Sequence, residues 1–100
     1  MEINDIPEAF TLPLRLSIIS CLVNGEKTFT EIKNITKASD GNISVQLSKL
    51  KKWGFIESEK CKINNYSQTI YTITELGLKN LEDYVELLEK IIQNSIYKNS

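Results

Sequence analysis

The sequence predicts a single α+β domain that is mainly helical, with a three-helix core, a β-hairpin and a long helix after the hairpin. Three observations support this fold class. Apolar residues recur at helical spacing in the first half of the 100-residue chain, the pattern becomes strand-like after Gly54, and a heptad pattern follows Thr74. A chain of this length is expected to form one domain, residues 1–100, around one core.

The first helix is predicted at about residues 13–23. Pro13 suits the first turn of a helix, apolar residues follow it at spacings of three and four, and Asn24-Gly25 ends the pattern. Cys21 belongs to this apolar set, so we expect it to fill part of the core rather than to act in redox chemistry.

A short second helix is predicted at about residues 30–37. Thr28 and Glu31 have the spacing of a capping box, and Thr30 is an alternative cap. The Lys37-Ala38-Ser39 stretch then makes a short turn, which is the length typical of a helix-turn-helix.

The third helix is predicted from Gly41 to Trp53, with Asp40 as its N-cap and Gly54 at its carboxyl end. One side of this helix is apolar and the opposite side is polar and basic. The apolar stripe consists of Ile43, Leu47 and Leu50, and the residues that point away from it are Val45, Ser48, Lys49 and Lys52. The second and third helices together predict a helix-turn-helix, about residues 30–53.

A β-hairpin, about residues 55–74, follows Gly54. Residues 55–60 have a strand-like pattern, residues 69–73 are β-branched and aromatic, and Asn64-Asn65 between them favours a turn. Cys61 lies beside this hairpin with no residue placed to pair with it.

A long last helix is predicted at about residues 75–97, with Thr74 as its cap. Its apolar residues follow heptad spacing, which favours packing against a second copy of the chain; the alternative is packing on its own domain. A helix of about 23 residues is roughly 34 Å long, more than a body of this size needs for its own core. The predicted homodimer interface consists of Leu78, Leu81, Tyr84, Val85, Leu88, Ile91 and Ile92.

The charged residues are segregated along the chain. Residues 33–62 carry seven lysines against three acids, whereas residues 1–32 and 63–97 each carry two basic residues against five acids. A basic middle between acidic flanks is typical of a nucleic-acid-binding surface on an otherwise acidic body.

The composition argues against several classes of function. The chain has no histidine and two cysteines far apart in sequence, so we expect no metal site and no imidazole-based catalysis. Its four glycines form no phosphate-binding loop, and no cofactor is predicted. The apolar runs are too short to span a membrane, and the acidic start, Met1 to Asp5, does not resemble a signal peptide. We therefore expect a cytoplasmic protein that is not an enzyme.

These elements, in this order, resemble the small winged helix-turn-helix transcriptional regulators of the MarR and ArsR type. The resemblance runs from Leu12 to about Glu89. It is carried by short segments whose order and spacing are more specific than any one of them, namely 12–18, Phe29-Thr30-Glu31-Ile32, 40–50, Trp53-Gly54-Phe55-Ile56 and 71–77. Two features depart from the pattern. Leu12 stands where relatives often have histidine, and the hairpin carries lysines where many relatives have arginine.

The resemblance implies that the third helix enters the major groove of DNA and that the hairpin, or wing, contacts the neighbouring backbone. Asn42 and Gln46 have side-chain amides suited to adenine, and Val45 suits a thymine methyl group. Lysines would contact phosphates and supply affinity rather than sequence choice, whereas Lys51 is interpreted as a solvated charge. The predicted DNA contacts are Ser39, Asn42, Ser44, Val45, Gln46, Lys49, Lys52, Lys60 and Lys62.

The predicted partners are therefore double-stranded DNA with a pseudo-palindromic operator, and a second copy of the chain. A protein-interaction module is the alternative, since winged helices also bind proteins, and a dimerisation fragment that modulates another regulator is a third hypothesis. No residue supports a small-molecule effector, although such a fold is compatible with one. Polar, base-compatible side chains on the exposed side of the third helix favour DNA.

Overall fold

The computed structural model describes residues 1–94. Two single-turn 3₁₀ helices, Ile3–Asp5 and Glu8–Phe10, precede the main elements. These are α1 (Pro13–Val23), β1 (Lys27–Thr28), α2 (Phe29–Thr36), α3 (Asp40–Lys52), β2 (Ile56–Ile63), β3 (Tyr66–Ile73) and α4 (Glu75–Ile92). Four helices and a three-stranded antiparallel sheet confirm the predicted fold class. No helix within residues 1–94 is long and apolar enough to cross a membrane.

The caps of α2 and α3 fix the helix-turn-helix. Thr28, not Thr30, caps α2: its hydroxyl accepts from the Glu31 backbone N–H at 3.1 Å, and its own N–H donates to the Glu31 carboxylate at 3.0 Å. The prediction that Asp40 caps α3 is wrong. Ser39 is the cap and accepts from the Asn42 N–H at 3.2 Å.

Asp40 has a different role because it already belongs to the first turn of α3. Its carboxylate lies 2.6 Å from Lys33 Nζ and so joins α2 to α3 on the surface. At the other end of α3, Gly54 has φ +81°, a left-handed conformation suited to glycine. Gly54 and Phe55 then donate to the carbonyls of Lys51 and Leu50, both at 3.0 Å, which closes the helix.

The core lies between the first three helices and the start of β2. The predicted stripe of α3 is buried, together with apolar residues of α1 and α2, and Phe10 completes the core from the N-terminal segment. Phe10 stacks on Phe55 and on Tyr84, with ring centroids 5.8 and 5.1 Å apart. The fully buried side chains at the centre are Ile18, Ile19, Leu22, Ile32, Ile43, Leu50 and Ile56.

The wing lies within its predicted range, but its two strands are longer than predicted. β2 and β3 pair continuously from Ile56 opposite Ile73 to Ile63 opposite Tyr66. Asn64 and Asn65, with φ +53° and +68°, form the two-residue turn, and such a turn allows pairing to continue to its edge. β1, which the sequence did not indicate, pairs with the other edge of β3 and gives the order β1-β3-β2.

α4 is seated where β2 begins. Thr74 caps it as predicted, since its hydroxyl accepts from the Gly77 N–H at 3.0 Å and donates to the Gly54 carbonyl at 2.7 Å. Gly77 lies directly against the Phe55 carbonyl, so even one added methyl group would collide with backbone. The helix reaches Ile92, and the last part of the predicted range, residues 95–97, lies outside the described residues.

Candidate nucleic-acid interface

The exposed side of α3 presents small polar and basic side chains. Helical geometry places this side opposite the buried stripe of Ile43, Leu47 and Leu50. From Gly41 to Lys52 the helix contains no acidic residue. The exposed side chains on it are Asn42, Ser44, Val45, Ser48, Lys49, Lys51 and Lys52. The surface therefore offers hydrogen-bond donors, acceptors and positive charge, with Val45, half exposed, as its large apolar residue.

Ser39, also predicted as a contact, lies at the amino end of this surface. Its oxygen accepts from the Asn42 N–H as the cap of α3, whereas the hydroxyl proton remains available to an acceptor such as a phosphate.

The two faces of the wing differ in charge. Alternation along a strand places Ser58, Lys60 and Lys62 on the same face as the core residue Ile56. Across the ladder this face continues with Tyr71, Thr69 and Ser67. The opposite face carries Glu57, Glu59, Cys61 and Ile63. The two predicted wing lysines therefore share one face, and the acidic residues of β2 occupy the other.

The lysine face of the wing is joined to α3. Lys51 Nζ donates to Ser58 Oγ at 2.8 Å, so Lys51 is a contact between helix and wing and not only a solvated charge. Side chains of both elements line one cleft, namely Ser44, Leu47, Ser48, Lys51, Ser58 and Tyr71. Burial raises the pKa of the Tyr71 phenol, which therefore stays protonated at neutral pH and able to donate a hydrogen bond.

Gln46 is a correction to the predicted DNA contacts. Its side chain is 7% exposed and accepts a hydrogen bond from Arg15 Nε at 2.8 Å. The prediction failed because Gln46 sits at the edge of the apolar stripe, where a buried partner on α1 recruits it into the interior. A side chain held in this way does not reach a base edge.

Arg15 is the residue that sequence reasoning overlooked. Its side chain is 7% exposed, its Nη1 donates to the Glu8 carbonyl at 3.0 Å, and its guanidinium lies 5.1 Å from the centre of the Trp53 ring. A signal was present, since Arg15 is the one charged residue within the apolar first helix, at 13–23.

The predicted dimer residues of α4 fall into two groups. Leu81 and Tyr84 pack against the domain's own core. Leu87, which the heptad pattern did not single out, is also buried. Val23 of α1 lies beside Leu78, Leu81 and Val85 and lines an apolar depression with them. The predicted dimer residues that remain substantially exposed are Leu78, Val85, Leu88, Ile91 and Ile92.

Within residues 1–94, no three potential ligands among the cysteines and acids come close enough to hold a metal ion. Cys21 and Cys61 are free thiols and partly buried. Desolvation by burial raises the pKa of Cys21, whose Sγ donates to the Ile18 carbonyl at 3.0 Å. Cys21 thus packs against the core, as the sequence predicted.

Three known proteins show what this chain is similar to. An uncharacterized protein of Methanocaldococcus jannaschii is 29% identical over 86 residues, which is 85% of this chain and 94% of that protein. A protein described as a transcriptional regulator of the MarR family from Enterococcus faecalis has the same fold, with a TM-score of 0.80 at 18% identity over 97% of this chain and 88% of that one. PadR of Bacillus subtilis, solved in complex with operator DNA, matches with a TM-score of 0.64 at 26% identity over 73% of this chain and 46% of that one.

The family model that matches the chain is described as a winged helix DNA-binding domain and covers residues 14–92. This match confirms the resemblance to winged helix-turn-helix proteins and, since the matched family is a DNA-binding domain, the prediction that the chain is not an enzyme. The chain belongs to the winged helix DNA-binding domain family.

Proposed function

We propose that this protein is a homodimeric transcriptional regulator that binds double-stranded DNA in a sequence-specific manner. The observation that carries the proposal is the continuity of one polar and basic surface, on which the acid of α3, Asp40, is paired with Lys33. The exposed side of α3 meets the lysine face of the wing through the Lys51–Ser58 hydrogen bond, while Glu57 and Glu59 lie on the opposite face. A convex helix next to a basic hairpin fits a major groove and its flanking phosphates.

The surface divides into residues suited to bases and residues suited to phosphates. Asn42, Ser44 and Val45 have short side chains on the exposed part of α3, where a base edge would lie. Lysine is a point charge that suits phosphate better than bidentate base reading. The phosphate contacts are Lys49, Lys52, Lys60 and Lys62, with the Ser39 hydroxyl at the start of the helix.

The partner of α4 in this proposal is a second copy of the chain. Leu78, Val85 and Leu88 are 38–45% exposed, and Val23 extends this apolar surface onto α1. The surface runs along an 18-residue helix, and a self-complementary helix face is the usual basis of a two-fold dimer. Such a dimer would bind a pseudo-palindrome with half-sites about 10 bp apart.

Selection of bound duplexes from a random pool tests binding and specificity together. We expect enrichment of an inverted repeat. Lys60→Ala should weaken binding to selected and scrambled duplexes alike, because it removes a phosphate contact. Lys79→Ala is the matched control: it also removes one positive charge, but Lys79 lies on α4 and is paired with Asp83 at 2.9 Å. Equal losses in the two variants would contradict the proposed surface.

A pool that yields no enriched sequence, from a protein that also fails to bind DNA at low salt, would reject the proposal. It would favour the alternative, in which the same basic surface binds an acidic protein partner.

A further inference from the structure

A chain of hydrogen bonds leads from the interior to the exposed side of α3. Arg15 Nε on α1 donates to Gln46 Oε1 at 2.8 Å, and Gln46 Nε2 donates to Asn42 Oδ1 at 3.4 Å. Arg15 and Gln46 are buried, whereas Asn42 is exposed. The chain therefore connects the α1 interior with one of the residues that the proposed function places against a base.

The chemistry of arginine fixes the direction of this chain. A guanidinium has donors and no acceptor, so Gln46 turns its oxygen toward Arg15. The Gln46 NH₂ group then faces Asn42, and an NH₂ group only donates. Asn42 must therefore turn its oxygen toward Gln46, which leaves its own NH₂ group on the outer side.

Arg15 is held firmly enough to determine the direction of these hydrogen bonds. Its Nη1 donates to the Glu8 carbonyl at 3.0 Å, and its guanidinium lies over the Trp53 ring at 5.1 Å from the ring centre. Contacts from the N-terminal segment and from the end of α3 thus fix the group from two sides. Charge-assisted hydrogen bonds are stronger than those between neutral amides, so the arginine sets the orientation and the two amides follow.

We propose that Arg15 and Gln46 are positioning residues that hold the side-chain amide of Asn42 with its NH₂ group toward DNA, so that Asn42 selects a base with hydrogen-bond acceptors. The inference rests on the proposed DNA-binding function and specifies what one residue of that surface reads. In the major groove guanine offers two acceptors, N7 and O6, whereas cytosine offers the N4 donor. Asn42 therefore favours guanine and disfavours cytosine. This differs from the adenine pairing expected for a free amide, because that pairing uses the amide oxygen and the NH₂ group together.

Gln46→Glu tests the direction of the chain. A carboxylate still accepts from Arg15, but it can no longer donate to Asn42. It accepts from the Asn42 NH₂ group, so the amide turns over and presents its oxygen to DNA. Duplexes that differ only at the base pair read by Asn42 are compared; that pair is the one whose preference Asn42→Ala abolishes.

We expect the parent to prefer guanine over cytosine at this position by about tenfold or more, the size of one good base contact. In Gln46→Glu we expect cytosine to be preferred over guanine. In Gln46→Met, whose side chain neither donates nor accepts strongly, we expect no preference between the two bases. A merely structural role for Gln46 would lower affinity for all four base pairs by the same factor and leave their order unchanged.

Exchange of the Asn42 side-chain NH₂ protons, followed by NMR in the free protein, gives a readout that does not depend on DNA. These protons should exchange freely in the parent and become protected in Gln46→Glu. An unchanged base order, or protected protons already in the parent, overturns the inference and leaves DNA binding intact. A parent without any sequence preference rejects the proposed function and the base-reading role with it, while the NMR result still decides the orientation of the amide.

Discussion

Replacing Gly77 by alanine tests the contact that seats α4 on the domain. An added Cβ would collide with the Phe55 carbonyl oxygen and would lie 3.1 Å from Ile73 Cγ1 and 3.2 Å from the Phe55 carbonyl carbon. The first obstacle is backbone, which cannot move aside by changing a rotamer. The same carbonyl accepts from the Thr74 N–H at 3.0 Å, so a shift of α4 also weakens its cap region.

The expected magnitude follows from two opposing terms. Overpacking against backbone costs about 3 kcal/mol at the upper end of its usual range. Alanine is favoured over glycine within a helix by about 1 kcal/mol, which leaves a net loss of roughly 2 kcal/mol. For a domain of this size that loss lowers the melting temperature by about 10 °C.

Thermal unfolding, at one fixed protein concentration because of the proposed dimer, measures the effect. Gly41→Ala is the matched control: Gly41 lies in the first turn of α3, and nothing stands within 4 Å of its added Cβ. The control should unfold at or above the parent temperature. A Gly77→Ala protein that is as stable as the control would refute the close packing of α4 on Phe55.

Three further predictions concern the surfaces. Leu88→Glu places a charge on the exposed apolar side of α4, and sedimentation at micromolar concentration should change from dimer to monomer or aggregate; a monomeric parent would contradict the proposed dimer. Lys62→Ala should reduce the slope of log affinity against log salt by about two per dimer, because one phosphate contact is lost per subunit. Asn42→Ala should leave this slope nearly unchanged and cost about 1–3 kcal/mol of binding free energy on the selected site. The opposite result for the two variants would mean that Asn42 contacts phosphate and Lys62 reads a base. Cys61→Ser should leave DNA affinity and its response to peroxide unchanged, and release of DNA by peroxide from the parent alone would reveal a thiol switch.

Much of the fold could be predicted because its signals are local. Pro13, the Thr28–Glu31 capping box and Gly54 act within a few residues of the elements they begin or end, and the structure places α1, α2 and α3 within two residues of the predicted bounds. β1 could not be predicted in this way. It is two residues long, and its pairing partners, Ile70 and Tyr71, lie more than 40 residues away.

Only part of the candidate site could be predicted, because some of its side chains are placed by residues that are distant in sequence. The exposed position of Asn42 and Val45 follows from helical periodicity, whereas the burial of Gln46 depends on Arg15, which lies 31 residues away. The sequence predicts Tyr84 in the dimer interface, where it broadens the heptad seam, yet Phe10 stacks on it from the N-terminal segment. A hydrophobic pattern indicates that one side of a helix is buried, but tertiary contacts determine which residues bury it.

The most direct test of the central claim is to map backbone amide chemical shifts of the protein while it is titrated with the selected duplex. The account predicts changes concentrated on the exposed side of α3, from Ser39 to Lys52, and on the lysine face of the wing at Lys60 and Lys62. The acidic face at Glu57 and Glu59 and the exposed side of α4 should change little. Changes centred on α4 or on the acidic face, with α3 unaffected, would contradict the account.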